Sequence, residues 1–223
     1  MLPQRLIDGY AAFLEGRFPQ ESERYRRLGE DGQSPRTMIV SCCDSRVSPE
    51  VIFDVGPGEL FIVRNVANLV PPYAPDGNQH GTSAALEFAV QALRVSDIVV
   101  LGHARCGGIR AAVAEDAEPL SPGDFIGKWM SMIAPAIDRL GPRGSRTMDD
   151  YLRQLEYGSV VNSLANLRTF PCVSILEERG KLKLHGAFFG VATGVLSVLD
   201  EATGEFHPAM DGPGKVFACA PVA

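Results

Sequence analysis

Short, almost wholly apolar runs recur along the chain, each bounded by polar residues or glycines. This pattern is typical of strands buried on both faces of a parallel sheet. It predicts strands at 37–42, 59–64, 98–101 and 181–189, and a shorter one at 194–199, placed at a sheet edge.

Between these runs, apolar residues recur at helical spacing. They predict helices at 51–54, 82–93, 109–117, 125–140 with a kink at Pro135, and 149–167. Residues 172–178 fit a helix or a strand, and we favour a helix. Strands that alternate with helices indicate an α/β protein with a mainly parallel central sheet flanked by helices. In such folds ligands lie at the carboxyl ends of the strands.

The first 31 residues differ from this alternation. An apolar stripe through Leu6, Tyr10 and Phe13 is followed by a highly charged segment at 21–27. The pattern predicts an N-terminal helical arm that covers its own sheet or packs on a partner subunit.

Length and charge narrow the classes of protein. The 223 residues fit a single domain spanning 1–223, with the arm at 1–31. A net charge of −6, from 21 basic and 27 acidic residues, argues against nucleic acid as a partner. The chain has no apolar run long enough to span a bilayer and its first ten residues do not look like a secretory signal, so we expect no membrane partner and a cytoplasmic location.

Cysteine usage points toward metal chemistry. The chain has five cysteines, an odd number, and their spacing fits no disulfide framework. His103 and Cys106 follow one predicted strand, and the pair Cys42-Cys43 ends another. Since parallel strands end at the same edge of a sheet, these side chains are expected to converge on a zinc ion.

Alternation along the strand selects the ligand. Cys42 and Asp44 share one face, whereas Cys43 is expected to turn into the packing, so we choose Cys42. Two thiolates and an imidazole leave a fourth position open, as in catalytic zinc sites. Asp44 could accept a hydrogen bond from water there, and Arg46 could hold that carboxylate ionised.

Each of these residues also has an ordinary interpretation. Buried cysteines are commonly small hydrophobes, and an Asp-Ser-Arg sequence is commonly a turn with a surface ion pair. We expect structural roles for His80 and His185, exposure for His207, and burial for Cys172 and Cys219.

With these residues in place, the chain resembles the β-class carbonic anhydrases. The resemblance rests on Cys42-x-Asp44-Ser45-Arg46, His103-x-x-Cys106-Gly107-Gly108, Pro57-Gly58-Glu59, the segment from Arg64 to Val70, and Gly81-Thr82-Ser83-Ala84-Ala85-Leu86-Glu87. It is clear from residue 32 to 108 and thinner beyond.

This resemblance implies an enzyme that reversibly hydrates carbon dioxide to bicarbonate and a proton through a zinc-bound hydroxide. It implies one zinc ion per chain on Cys42, His103 and Cys106, with Asp44 and Arg46 as the catalytic dyad. It also implies a homodimer or higher assembly. The substrate pocket would include Phe61, Val66, Phe88, Gln33 from the adjoining subunit, and Gly107, which allows close approach.

Within the family, the chain is similar to the plant-type members that bicarbonate does not regulate. Regulated members hold bicarbonate with an arginine, a tryptophan and a tyrosine. Here the arginine is present as Arg64, but the aromatic positions carry Ile39 and Phe189.

Other functions compete with this interpretation. Hydrolysis of carbon disulfide or carbonyl sulfide on the same ligands stays open. A structural zinc or thiol-redox protein fits less well, because the site has an open position and the chain has no Cys-x-x-Cys pair. No arginine stands where a cysteine phosphatase needs one, and no Gly-x-Gly-x-x-Gly opens a helix after a strand.

Overall fold

A six-stranded sheet forms the centre of the computed structural model, which describes residues 1–114 and 118–210. The strand order is β2-β1-β3-β4-β5-β6. The strands are β1 (Thr37–Cys42), β2 (Leu60–Asn65), β3 (Asp97–His103), β4 (Lys183–Phe189), β5 (Leu196–Asp200) and β6 (Glu205–Pro208).

The sheet has a parallel part and an antiparallel part. β2, β1, β3 and β4 run parallel, and β5 and β6 add an antiparallel edge. The register pairs Cys42 with Asn65 and extends β3 to His103, opposite Phe189 of β4. The carboxyl ends of β1, β2 and β3 therefore lie at one edge of the sheet.

Helices cover this sheet and form the arm. They are α1 (Gln4–Ala12), α2 (Phe18–Asp31), α3 (Pro49–Ile52), α4 (Gly81–Glu87), α5 (Gly107–Ala112), α6 (Phe125–Met130), α7 (Ala134–Leu140), α8 (Met148–Leu167) and α9 (Pro171–Glu178). π-helical turns at Phe13–Arg17 and Phe88–Leu93 extend α1 and α4, and short 3₁₀ turns lie at Val66–Asn68 and Ser131–Ile133.

Strand alternation divides the core between the two faces of the sheet. Met38 and Val40 join the largest cluster of buried residues on one face, and Ile39 belongs to a smaller one on the other. A third cluster surrounds Cys42 and Cys106 at the carboxyl edge. Helix α8 contributes to two of these clusters, because its first half packs at the carboxyl edge and its second half under the large face.

The predicted fold class is confirmed, and the element bounds differ mostly by one or two residues. β1 has its predicted bounds, and 171–178 is helical. Pro135 does not kink one helix, because α6 ends before it and Pro135 lies in the first turn of α7, where a missing N–H costs nothing. The helix predicted at 109–117 is shorter and begins earlier, spanning Gly107–Ala112, and residues 115–117 lie outside the described part.

The largest error concerns the far edge of the sheet. The predicted strand at 194–199 is not at the edge, since β5 lies between β4 and β6. β6 was missed because Glu-Phe-His-Pro is short, charged and contains proline, so it shows no apolar run. Such a composition is common in edge strands, where it prevents pairing with another chain.

The environments of the remaining cysteines and of His207 agree only in part with the predictions. Cys43 is exposed, contrary to the expectation of packing, because the chain turns away from the sheet directly after β1. Cys172 is only partly buried, and Cys219 lies outside the described residues. His207 is exposed as expected.

The N-terminal arm contrasts with the body of the protein. Neither α1 nor α2 has a buried residue, and Leu6 and Tyr10 are 58% and 60% exposed. An ion pair between Arg24 of the arm and Glu59 is one contact with the rest of the protein. Within the described ranges, no helix is both long and apolar enough to cross a bilayer.

Candidate metal centre

Three metal-ligating side chains meet at the carboxyl edge of the parallel strands. Cys42 ends β1, His103 ends β3, and Cys106 immediately precedes α5. Their donor atoms all lie within 4.8 Å of one another, and all three residues are buried. We call these residues the ligand cluster. The structure thus brings Cys42, rather than the exposed Cys43, together with His103 and Cys106.

The histidine of the cluster has one nitrogen free for a metal. Nδ1 of His103 lies 3.0 Å from the carbonyl oxygen of Ala104, an acceptor, so Nδ1 carries the proton and donates. Nε2 is buried without a hydrogen-bond partner among the described residues. A buried nitrogen with an unused lone pair beside two thiols fits a metal ligand.

The two thiols of the cluster ionise unequally. A hydrogen bond from Cys106 lowers the pKa of Cys42, with His103 acting in the same direction. The Cys42 thiolate in turn raises the pKa of Cys106, and burial raises it further. For His103, burial lowers the pKa and the Cys42 thiolate raises it, with a net upward shift. The hydrogen bond between the two sulfurs therefore favours a thiolate within the pair.

Backbone N–H groups surround both sulfur atoms. The N–H of Ala67 donates to Cys42 Sγ at 3.3 Å, and those of Ile109 and Gly108 lower the pKa of Cys106. Ala67 has a φ of 64°, a left-handed conformation that is uncommon for a residue with a side chain. This backbone conformation accompanies the contact with sulfur.

Close packing holds the Ala67 turn against α5. A Cβ atom added at Gly108 would lie 2.7 Å from Val66 Cγ1 and 3.2 Å from Ala67 Cβ, so only glycine fits. An added Cβ at Gly107 would meet no atom within 4 Å among the described residues. The contact between the Ala67 turn and α5 is therefore made at Gly108, and the role of Gly107 in the substrate pocket stays a prediction.

Asp44 and Arg46 form a two-pronged ion pair beside the cluster. Arg46 Nε donates to Asp44 Oδ1 at 2.9 Å, and Nη2 donates to Oδ2 at 2.7 Å. This pairing is the main reason that the pKa of Asp44 lies well below its usual range, with the N–H of Arg46 contributing. Asp44 is thus a carboxylate at neutral pH, able to accept a hydrogen bond but not to donate one.

Arg64 binds the loop that carries the dyad. Its Nε donates to the carbonyl oxygen of Cys42 at 3.0 Å, and its Nη2 donates to those of Asp44 and Val47, each at 2.8 Å. These three contacts fix the turn that follows β1.

The other predicted pocket residues lie in two places, some beside the ligand cluster and others far from it. Val66 packs in the cluster around Cys42, and Gly107 opens α5. Phe61 and Phe88 contact each other, with ring centroids 5.9 Å apart, but Phe61 pairs with Met38 near the start of β1. Four residues of strand, roughly 13 Å, separate that level from Cys42. Gln33 is exposed in the segment between the arm and β1.

Sequence reasoning missed Glu156. This residue is 4% exposed on α8, and its Oε1 accepts a hydrogen bond from the N–H of Cys106 at 2.9 Å. Burial raises its pKa, while the Cys106 N–H opposes that shift. A signal was available, since Glu156 follows Leu155 on the apolar side of a strongly helical segment, where a carboxylate is unexpected.

Comparison with known proteins decides the family. Residues 37–196 match the family model described as carbonic anhydrase. The chain is 36% identical over 181 residues to beta carbonic anhydrase 5, chloroplastic, of Arabidopsis thaliana, covering 81% of this chain and 59% of that protein. This chain belongs to the β-carbonic anhydrases.

Further relatives agree over nearly the whole length. A carbonic anhydrase of Pseudomonas aeruginosa is 35% identical over 222 residues, covering 96% of this chain and 99% of that one. The solved structure of the β-carbonic anhydrase CcaA superposes with a TM-score of 0.80 at 28% identity, covering 93% and 92% of the two chains. A β-carbonic anhydrase of Coccomyxa, solved with acetazolamide, gives 0.75 at 27%, covering 87% and 85%. The protein is thus an enzyme that hydrates carbon dioxide reversibly to bicarbonate.

Proposed function

We propose that this carbonic anhydrase works with one zinc ion per chain, held by the ligand cluster. The observation that carries the proposal is the convergence of two sulfurs and an unpartnered imidazole nitrogen within 4.8 Å, at the carboxyl ends of parallel strands. Soft thiolates with imidazole suit zinc, and three protein ligands leave one tetrahedral position for water or substrate. When bound there, zinc supplies a Lewis acid that activates water for attack on carbon dioxide.

The chain's own residues prepare this reaction. The Ala104 carbonyl fixes the His103 tautomer, so that Nε2 faces the two sulfurs. Arg46 keeps Asp44 ionised and orients its carboxylate. Oδ1 already accepts from the N–H and the Nε of Arg46, so Oδ2, which within the described part of the chain accepts only from Nη2, has a lone pair left to accept a hydrogen bond from the attacking water. The apolar side chains around the cluster, Val66 among them, suit an apolar substrate.

We also propose that bicarbonate does not regulate this enzyme. Arg64 donates to three backbone carbonyls, so releasing it to an anion would leave these acceptors without a partner. Ile39 is buried and, like Phe189, has no side-chain hydrogen-bond donor. The paired state of Asp44 and Arg46 agrees with the unregulated form.

A homodimer or larger assembly would complete the pocket. Phe61 and Phe88 lie too far along the sheet from Cys42 to line the same chain's site, and Phe88 is 49% exposed. We therefore propose that these two residues and Gln33 reach the site of a second copy. The exposed apolar residues of the arm, 1–31, would pack on that copy. The neighbours include tetrameric β-carbonic anhydrases of Sordaria macrospora, at 23% identity.

The proposed location is the cytoplasm, where thiols stay reduced. The ligand cluster needs two thiolates, and Cys42, Cys43, Cys106 and Cys172 are free cysteines. Nucleic acid and membrane are not among the proposed partners.

Metal analysis combined with a stopped-flow assay of carbon dioxide hydration tests the zinc site. Wild-type protein should hold about one zinc per chain, and Cys106→Ser should lose zinc and activity together. Cys43→Ser is the matched control, because its exposed thiol lies outside the cluster, and it should keep both. Full zinc content in Cys106→Ser would refute the ligand assignment.

A further inference from the structure

We propose that Glu156 is a positioning residue of the metal centre, which fixes the peptide unit between Arg105 and Cys106 and thereby the direction of the Cys106 thiolate. This inference rests on the proposed zinc site. It adds a residue from α8, 50 positions along the chain from Cys106, that does not touch the reacting atoms.

Two hydrogen bonds hold this one peptide unit from opposite ends. On one side, Glu156 Oε1 accepts from the N–H of Cys106 at 2.9 Å. On the other, the carbonyl oxygen of Arg105 accepts from Arg46 Nη2 at 3.0 Å. Rotation of the peptide would break both bonds, so the orientation of Cys106 is coupled to the Asp44–Arg46 pair through a single rigid plane.

The backbone at this point needs such support. Arg105 has a φ of 58°, in the left-handed region that disfavours residues with a side chain. Such a conformation persists where surrounding contacts impose it. The N–H of Cys106 is buried with its residue, and Glu156 supplies its acceptor.

Packing alone does not explain a glutamate at this position. The neighbouring Leu152 and Leu155 belong to the apolar cluster around Cys42 and Cys106, and a leucine at 156 would suit those surroundings better than a carboxylate. A cavity of about 40 Å³ beside Glu156 is lined by three arginines and one aspartate, Arg105, Arg110, Arg153 and Asp149, and the charge of Arg153 favours the carboxylate. The position therefore carries a costly group that serves the metal-ligand loop.

Two substitutions separate the reach of the side chain from its charge. Glu156→Gln keeps the length and an oxygen acceptor but removes the charge, whereas Glu156→Asp keeps the charge but withdraws the acceptor by one methylene. If the acceptor position matters, Asp should weaken zinc binding about 10–100-fold, as loss of an outer-shell partner does, and Gln should stay within about threefold of wild type.

Zinc affinity is measured on the full-length protein by competition with a chelator at fixed pH. Visible spectra of the cobalt-loaded variants then report ligand geometry, which Asp should alter and Gln should leave unchanged. Asn162→Ala is the matched control, since Asn162 is also buried on α8 and donates to a carbonyl, that of Met132, which is not a metal-ligand residue. It should lower thermal stability without changing zinc affinity.

Wild-type affinity in Glu156→Asp, or an affinity loss in Asn162→Ala equal to that in Glu156→Asp, would overturn the proposal. A tenfold loss of zinc affinity in a folded Glu156→Gln variant would also overturn it, and this result can be obtained even if Glu156→Asp does not fold. Different results would refute the proposed zinc site itself: wild-type protein that binds no zinc, or Cys106→Ser that binds a full equivalent of zinc.

Discussion

The two ends of strand β3 carry histidine sites of opposite kinds. Near the amino end, His185 of the neighbouring strand lies with Nε2 2.9 Å from Asp97 Oδ1, and Ser96 donates to the other carboxylate oxygen at 2.6 Å. At the carboxyl end, His103 Nε2 is buried without a partner among the described residues. At the first site the histidine and the aspartate are paired with each other and with Ser96. At the second site the Nε2 lone pair needs a ligand such as a metal ion. The His103 imidazole lies at the carboxyl ends of the parallel strands, where ligands bind in folds of this kind.

The largest difference between the two histidine sites is expected when each imidazole is removed in turn. His103→Ala should weaken zinc binding on the order of 10³-fold and abolish hydration of carbon dioxide, because one of three ligands is lost. His185→Ala should keep about one zinc per chain and most of the activity. Metal content and stopped-flow rates of both purified variants check this, and equal losses would show that the two ends do not differ in kind.

A smaller effect is expected when the carboxylate at the functional end becomes an amide. Asp44→Asn should retain zinc but lose about 10²–10⁴-fold in kcat, since the amide presents no anionic acceptor to water. Its pairing with Arg46 is also weakened. Measuring zinc content beside kcat separates binding from catalysis, and wild-type turnover at neutral pH would show that Asp44 has no catalytic role.

The smallest effect is expected at the satisfied end. Ser96, His185 and Lys183 hold the pKa of Asp97 below its ordinary value, so Asp97 adds stability above about pH 4 that is lost as pH falls through its folded pKa. Asp97→Asn should cost about 0.5–1 kcal/mol at neutral pH, as the side chain is a third exposed.

The free energies of unfolding of the Asp97→Asn variant and of wild type should converge below pH 4, and urea titrations across that range measure the difference. Zinc content should not change. A difference that persisted at low pH would assign the stabilising effect to packing rather than to ionisation.

Local sequence signals were sufficient for much of the fold and for convergence of the ligand cluster. β1 ends at Cys42 as the apolar run predicted, and the His-x-x-Cys-Gly-Gly segment leaves β3 as expected. The resemblance to a family, not periodicity, supplied the assignment of Phe61 and Phe88 to the pocket. That assignment stays a prediction, because it depends on a second copy of the chain.

What the sequence did not show depends on tertiary contacts. Alternation placed Cys43 in the packing, but alternation ends where the strand ends, and the chain turns there. The left-handed Ala67 had no signal, since alanine carries no preference for that conformation. The contact between Glu156 and Cys106 joins residues 50 positions apart, which no local pattern encodes.

The N–H groups around the two sulfurs have an electronic consequence. Two thiolate ligands donate negative charge to a metal and thereby lower its Lewis acidity. An N–H that donates to a sulfur withdraws part of that charge, as hydrogen bonds to sulfur ligands do in other metal centres. The left-handed turn at Ala67 places its N–H 3.3 Å from Cys42 Sγ, so a metal bound by Cys42 would be more electrophilic, at the cost of the backbone strain of that turn.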